Sequence, residues 1–396
     1  MLRWEGPLDA VKDARQRPRI PTRAVLRSVV VMFLARLGSL NALEQSGTSR
    51  FWRKWLGREM PSADTVGRVC ALADVQDIRQ MQRGLYARLM EMKALPPLMA
   101  GLRVAVLDAH ESHATYRQEC DGCLVRVVHT AEGDRLQYYH RHVTLALVER
   151  DQVIPLDAEA MRRGEGETEA AIRLLERVLG MYPRAFDVVL GDAHYANSTF
   201  FNFVLARGKD AIAVLKDEER DLWEDAESLF EQEAPKVVEE RGRRCLQWDI
   251  EGFTTWPQVH GPVRVVRSLE RHTVRRQLDG QEEQLSSDWT WVTSLPSRRA
   301  ATEVITHLGH GRWKIENEGF NELTNGMHAD HVYKHHPQAM LVLCLMAMLC
   351  LNVFRVFYRR NLKPAVRERA SMLHVARQVL AELYHLIPDG AARAPT

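Results

Sequence analysis

Apolar positions in the first hundred residues recur at helical spacing. Ala24 to Leu43 reads as one helix, and Ser62 caps another that runs through Val66, Val69 and Leu72. Pro96-Pro97 closes this region. From Leu102 the pattern changes to that of strands. Arg103 to Leu107 is a short buried run ending at Asp108, followed by β-rich stretches at Leu124 to His129 and Leu136 to Leu147. Glu167 to Leu179 is helical, with Ala171, Leu174, Leu175 and Val178 on one face. The strand Phe186 to Leu190 then ends at Gly191-Asp192, before a helix over Ser198 to Ala206 and a strand over Ala211 to Leu215. This order predicts an α/β fold, a mixed sheet with helices on both faces. Asp108 and Asp192 each fall just past the carboxyl end of a buried strand, where such sheets place their chemistry.

The texture changes again over 217–288. Charge is dense and the strands look short (Cys245 to Ile250, Val263 to Val266), as in a β-rich insertion. Core texture resumes at Trp289 to Leu295, with a helix from about Arg299 and another across Arg312 to Leu323. Ala339 to Leu351 is apolar throughout but too short to span a bilayer, and Asn352 and Arg355 follow it, so it reads as a buried core helix. The expected units are 1–98 (helical), 99–216 and 289–362 (the two parts of the α/β core), 217–288 (insertion) and 363–396 (a basic helical tail).

Net charge is +2 over 396 residues, which is not the footprint of a basic domain. That figure is a cancellation, because residues 1–100 carry +8. Arginine outnumbers lysine 45 to 9, a bias toward phosphate-gripping forks or simply the mark of a GC-rich genome. Met1 to Arg19 is charged and lacks the apolar core of a signal peptide, and the six cysteines are scattered. Reduced thiols in a cytoplasmic protein are the expectation.

Near residue 316 the pattern becomes chemical. Arg312 and Glu316 lie one helical turn apart, a spacing that in isolation means a surface salt bridge. Trp313, Ile315, Phe320 and Leu323 argue instead for burial, and a buried carboxylate needs a partner or a metal. Val106–Ser112 (VLDAHES), Val188–Asn197 (VVLGDAHYAN) and Gly311–Leu323 (GRWKIENEGFNEL), with Pro61–Val66 upstream, together resemble the DDE transposases of the IS4-like superfamily.

That resemblance implies a ribonuclease-H-like core interrupted by a β-rich insertion, with a helical N-terminal DNA-binding region. It implies that Asp108, Asp192 and Glu316 are catalytic and hold two Mg²⁺ ions, for which Mn²⁺ substitutes. Tyr195 and Arg312 match the family's tyrosine after the second aspartate and its arginine before the glutamate. Gly309 and Leu323 stand where the signature has Tyr and Lys, so Lys314, Asn325, His328 or Lys334 are candidates for those phosphate contacts. The implied reaction is cleavage at transposon ends and joining to target DNA. The implied partners are inverted-repeat and target DNA and a second copy of the chain when DNA is bound, with no membrane and with nucleoid association while bound. The chemistry agrees: hard carboxylate oxygens suit Mg²⁺, two such ions serve in-line phosphoryl displacement, and an arginine fork grips phosphate. The competing readings are a metal nuclease of the same fold, a domesticated DNA-binding protein and a zinc hydrolase.

Secondary signals remain. Cys120-x-x-Cys123 follows His110-x-x-His113 and precedes His129, His140 and His142, a pattern that suits either a structural Zn²⁺ or ordinary loop residues. His110 and His194 are also candidates for DNA contact near the metals. Arg50, Arg53 and Lys54 alternate with Phe51, Trp52 and Trp55, as a phosphate-tracking and stacking surface or as an amphipathic helix with packed aromatics. The helix after Ser62 is a candidate second member of a helix-turn-helix. Trp256 is either a base-stacking residue or core. Glu165 and Glu167 fit a helix start, favoured by the macrodipole.

Overall fold

A computed structural model describes residues 5–149, 152–216, 220–240, 242–275, 281–312 and 321–384. The N-terminal region is helical: α1 (Glu5–Ala10), α2 (Thr22–Leu34), α3 (Leu40–Gln45), α4 (Arg50–Leu56), α5 (Ala63–Leu72) and α6 (Val75–Glu91). The single helix expected over Ala24 to Leu43 is broken. Arg36 and Gly38 take left-handed backbone (φ 55° and 75°), and the Ser39 side chain caps α3 by accepting from Ala42 N–H. Ser62 caps α5 as its spacing predicts.

The core alternates strand and helix: β1 (Val104–Thr115), β2 (Leu124–Thr130), β3 (Gly133–Glu149), β4 (Gln152–Ala160), α7 (Glu167–Met181), β5 (Val188–Gly191), α8 (Ser198–Leu205) and β6 (Asp210–Val214). Then come α9 (Arg220–Gln232), β7 (Lys236–Glu240), β8 (Arg243–Phe253), β9 (Val263–Arg275), β10 (Glu282–Thr293) and α10 (Thr302–Gly311). A π-helical turn at Glu322–Gly326 precedes α11 (Pro337–Asn361), α12 (Pro364–Arg369) and α13 (Met372–Leu383).

Among the described residues ten strands form one sheet in the order β2-β3-β1-β5-β6-β10-β9-β8-β7, with β4 paired to β3. β1, β5 and β6 are parallel, while β3 and β4 are antiparallel additions on the other side of β1. This mixed sheet is the ribonuclease-H-like core. The segment read as an insertion opens with a helix and then extends the same sheet from β10 through β9 and β8 to β7. β8 and β9 are far longer than the short apolar runs suggested, because their outer halves pair through charged residues.

Two further readings are corrected. β1 does not stop at Asp108 but pairs with β3 as far as Thr115. β4 has no counterpart among the expected strands, because Pro155, Asp157 and Glu159 interrupt its apolar residues. Val153 to Glu159 is nonetheless buried throughout.

α11 holds the architecture together. Its buried positions pack on α2, α5 and α6 on one side and on β4 on the other, so the N-terminal helices share one hydrophobic core with the sheet. By length and composition α11 would pass for a membrane span, but 72% of its most apolar window is buried inside the protein. Two of its polar side chains reach β4: Asn352 Nδ2 donates to Pro155 O at 2.8 Å, and Arg355 donates to Val153 O.

Candidate active site

Val104, Ala105 and Val106 of β1 stand level with Val188, Val189 and Leu190 of β5 in parallel register. The same offset carried two residues further brings Asp108 level with Asp192. Asp108, within β1, and Asp192, the residue after β5, thus lie near each other at the carboxyl end of β5, close enough for the Asp192 charge to act on Asp108. Each is steadied by its own backbone: Asp108 Oδ1 accepts from Ala109 N–H at 2.9 Å, and Asp192 Oδ1 caps the turn Ala193–Tyr195 by accepting from His194 N–H at 2.9 Å.

Burial pushes the Asp108 carboxyl up to about 6. The Ala109 N–H and the Arg312 guanidinium pull it down, while the charges of Asp192 and Glu167 push it further up. Asp108, Asp192, Glu167 and Arg312 thus share one electrostatic neighbourhood, with more carboxylate than cation among the described residues.

Tyr195 is fully buried against Phe200, with ring centroids 5.0 Å apart. Its hydroxyl donates to Glu167 Oε1 at 2.9 Å, and Glu167 Oε2 pairs with Arg141 at 2.9 Å. Burial and then the Glu167 charge hold the phenol well above its usual range, so it remains a donor. Tyr195 therefore faces Glu167 rather than a surface that could meet phosphate. Gly191 makes this placement possible: a Cβ there would lie 2.6 Å from Tyr195 Cβ and Cδ2. Gly191→Ala is expected to cost about 1–3 kcal/mol by overpacking, read as a lower midpoint in urea unfolding. An unchanged midpoint would mean that the ring can shift freely.

The other sequence-derived candidates divide. Arg312 closes the C-terminal end of α10, near enough to act on Asp108. Glu316 and Lys314 lie outside the described residues, as do Trp313, Ile315 and Phe320. His194 is exposed beside Asp192. Arg50, Arg53 and Lys54 are exposed on α4, Arg53 meeting Glu59 at 3.1 Å in a solvated pair. The aromatics between them follow the packed reading. Trp52 is buried with Nε1 donating to Ser46 O at 2.9 Å, and Phe51 stacks on Trp55. α5 buries Val66, Gly67, Val69 and Cys70 and packs chiefly on α11. Trp256 is also core, 4% exposed and against Phe201.

The four-residue zinc set is not assembled as the spacing suggested. Cys120 and Cys123 meet His140, whereas His110 lines a separate apolar hollow with Leu323, Tyr333 and Met348. His113 stands opposite His140 across the β1–β3 pair.

Sequence reasoning missed Glu167 and Arg141. Glu167 looked like a helix-start carboxylate, and it does occupy the first turn of α7. Nothing local announces that it also faces Tyr195 and Asp108.

The sheet and its paired aspartates define a protein of the ribonuclease-H-like class. The family model of the transposase DDE domain matches residues 102–353, and the chain belongs to that family. It is a transposase, an enzyme whose substrates are DNA, in a family that generally works with divalent metals. Among curated proteins none matches the chain.

Proposed function

We propose that the chain is an IS4-like DDE transposase that cuts DNA at the inverted repeats of its own element and joins the freed ends to target DNA. Asp108, Asp192 and Glu316 are the proposed metal-binding carboxylates. One observation carries the reading: Asp108 on β1 and Asp192 just after the adjacent parallel strand β5 are electrostatically coupled, and the Asp108 carboxyl is held up to about 6 by burial and acidic neighbours. Such a pair is costly without a cation and suits a hard one, since its donors are oxygens. A divalent ion there would acidify water or a 3′-hydroxyl and stabilise the departing oxygen of an in-line displacement.

The chain's own residues supply the rest. Arg312 brings a guanidinium to the carboxylates, placed to bind a non-bridging phosphate oxygen. Tyr195 and Arg141 fix Glu167, and through it the charge around Asp108. Arg50, Arg53, Lys54 and His194 offer exposed groups to the DNA backbone. Two ends must be cut in concert, which calls for a dimer on DNA.

The test is a duplex carrying the inverted repeat, incubated with protein and Mg²⁺. Nicks at the repeat boundary are expected, and none without the divalent ion. Mg²⁺-independent or unplaced cutting would contradict the proposal. Tyr195→Phe leaves Glu167 Oε1 unpaired in a buried position, so cleavage is expected to fall about 10–100-fold with the fold retained. Full activity in that variant would remove Tyr195 from the account.

A further inference from the structure

Among the described residues, one other group of side chains converges as metal ligands do: Cys120, Cys123 and His140. Cys120 Sγ lies 3.7 Å from Cys123 Sγ and 3.3 Å from His140 Nε2, and Cys123 Sγ lies 3.5 Å from the same nitrogen. The sulfurs are too far apart for a disulfide, which needs about 2.05 Å. Tetrahedral zinc, with bonds of about 2.3 Å to sulfur and about 2.0–2.1 Å to nitrogen, sets the sulfurs about 3.8 Å apart and each sulfur about 3.6 Å from the nitrogen. The three atoms already stand at nearly those separations.

Candidates for a fourth donor lie next to His140. His113 is the cross-strand neighbour of His140, and His335 meets the His113 ring edge-on at 4.8 Å. His335 Nδ1 is buried and has no hydrogen-bond partner. We propose that Cys120, Cys123, His140 and one imidazole of the His113–His335 pair bind a structural Zn²⁺ ion. Both thiols give up their protons to solvent as the zinc–sulfur bonds form.

The location gives the ion a task. Cys120 to Cys123 forms a tight turn, with Cys123 N–H donating to Cys120 O at 3.3 Å. That turn is seated on the first residue of α11, since a Cβ on Gly122 would lie 2.5 Å from Pro337 Cγ. The ion would therefore clip the connection after β1, the strand that carries Asp108, to β3 and to the segment leading into α11. This inference stands on the cluster's geometry and not on the proposed reaction.

Metal analysis of the full-length protein, loaded with zinc and dialysed, is the test. About one zinc per chain is expected, retained in an Asp108→Asn/Asp192→Asn variant and lost in Cys120→Ser/Cys123→Ser. Wild-type protein loaded with cobalt should show thiolate-to-metal charge transfer and tetrahedral absorption, which does not depend on any variant folding. A zinc chelator should lower the wild-type melting temperature and leave that of the cysteine variant unmoved. Absence of bound zinc, zinc that survives the cysteine substitutions, or a cobalt spectrum without thiolate bands would overturn the assignment.

Discussion

Asp192→Asn is expected to abolish DNA cleavage, lowering the rate about a thousandfold or more, while the protein stays folded. The substitution keeps the side-chain shape and the oxygen that caps the Ala193–Tyr195 turn, so the local structure should survive. What it removes is a charge opposite Asp108. Asp108→Asn should match it in activity, and the double variant should be little worse than either alone, since both carboxylates serve one site. Single-turnover cleavage in Mg²⁺, run beside circular dichroism, separates the outcomes. A folded Asp192→Asn protein with near-normal cleavage would leave the two aspartates without a catalytic role.

The second large effect concerns stability. Arg177 Nε meets Asp157 Oδ2 at 2.8 Å, and Arg177 also pairs with Glu159. Arg173 meets Glu159 at 3.0 Å, and Arg79, from the N-terminal helices, meets Asp157 at 3.1 Å. The Asp157 side chain is 2% exposed. Removing one cation strands buried carboxylate charge, so Arg177→Met is expected to cost about 3–5 kcal/mol, at the lower end because Arg79 and Arg173 remain.

A pH signature distinguishes this from lost packing. Burial alone would raise the Glu159 carboxyl, but the arginine charges and hydrogen bonds outweigh it and hold the group below 4.5. A carboxyl lowered on folding contributes stability that is fully present above its unfolded value. That contribution is lost as pH falls through the folded value. The difference between wild type and Arg177→Met should therefore be full near neutrality, begin to shrink near pH 4.5 and close as the pH falls through the lower folded value. A constant difference across that range would point to packing.

Much of this molecule is legible along the chain, and the illegible parts share a cause. α5 announces itself through its Ser62 cap and apolar periodicity, α7 through apolar periodicity and an acidic first turn, and β5 through an apolar run that ends at Asp192. Asp108 and Asp192 stand out because each follows an apolar run, a local feature, although β1 continues past Asp108 to Thr115. β4 does not, because Asp157 and Glu159 look like surface residues until Arg79, Arg173 and Arg177 arrive from α6 and α7. Glu167 was unreadable for the same reason, its partners Tyr195 and Arg141 coming from other elements. The cysteine pair was visible, but His140 became its neighbour only through the β2–β3 excursion, which folds β3 back beside the turn that holds both cysteines. Polar residues buried by distant partners cannot be inferred from spacing.

Strand transfer tests the central proposal most directly. Purified protein, a pre-cut inverted-repeat end bearing a free 3′-hydroxyl and a target plasmid should give joined product in Mg²⁺, and none with Asp192→Asn. End cleavage without any joining would make the chain a nuclease in function, and joining by the Asp192→Asn protein would contradict the proposed site itself.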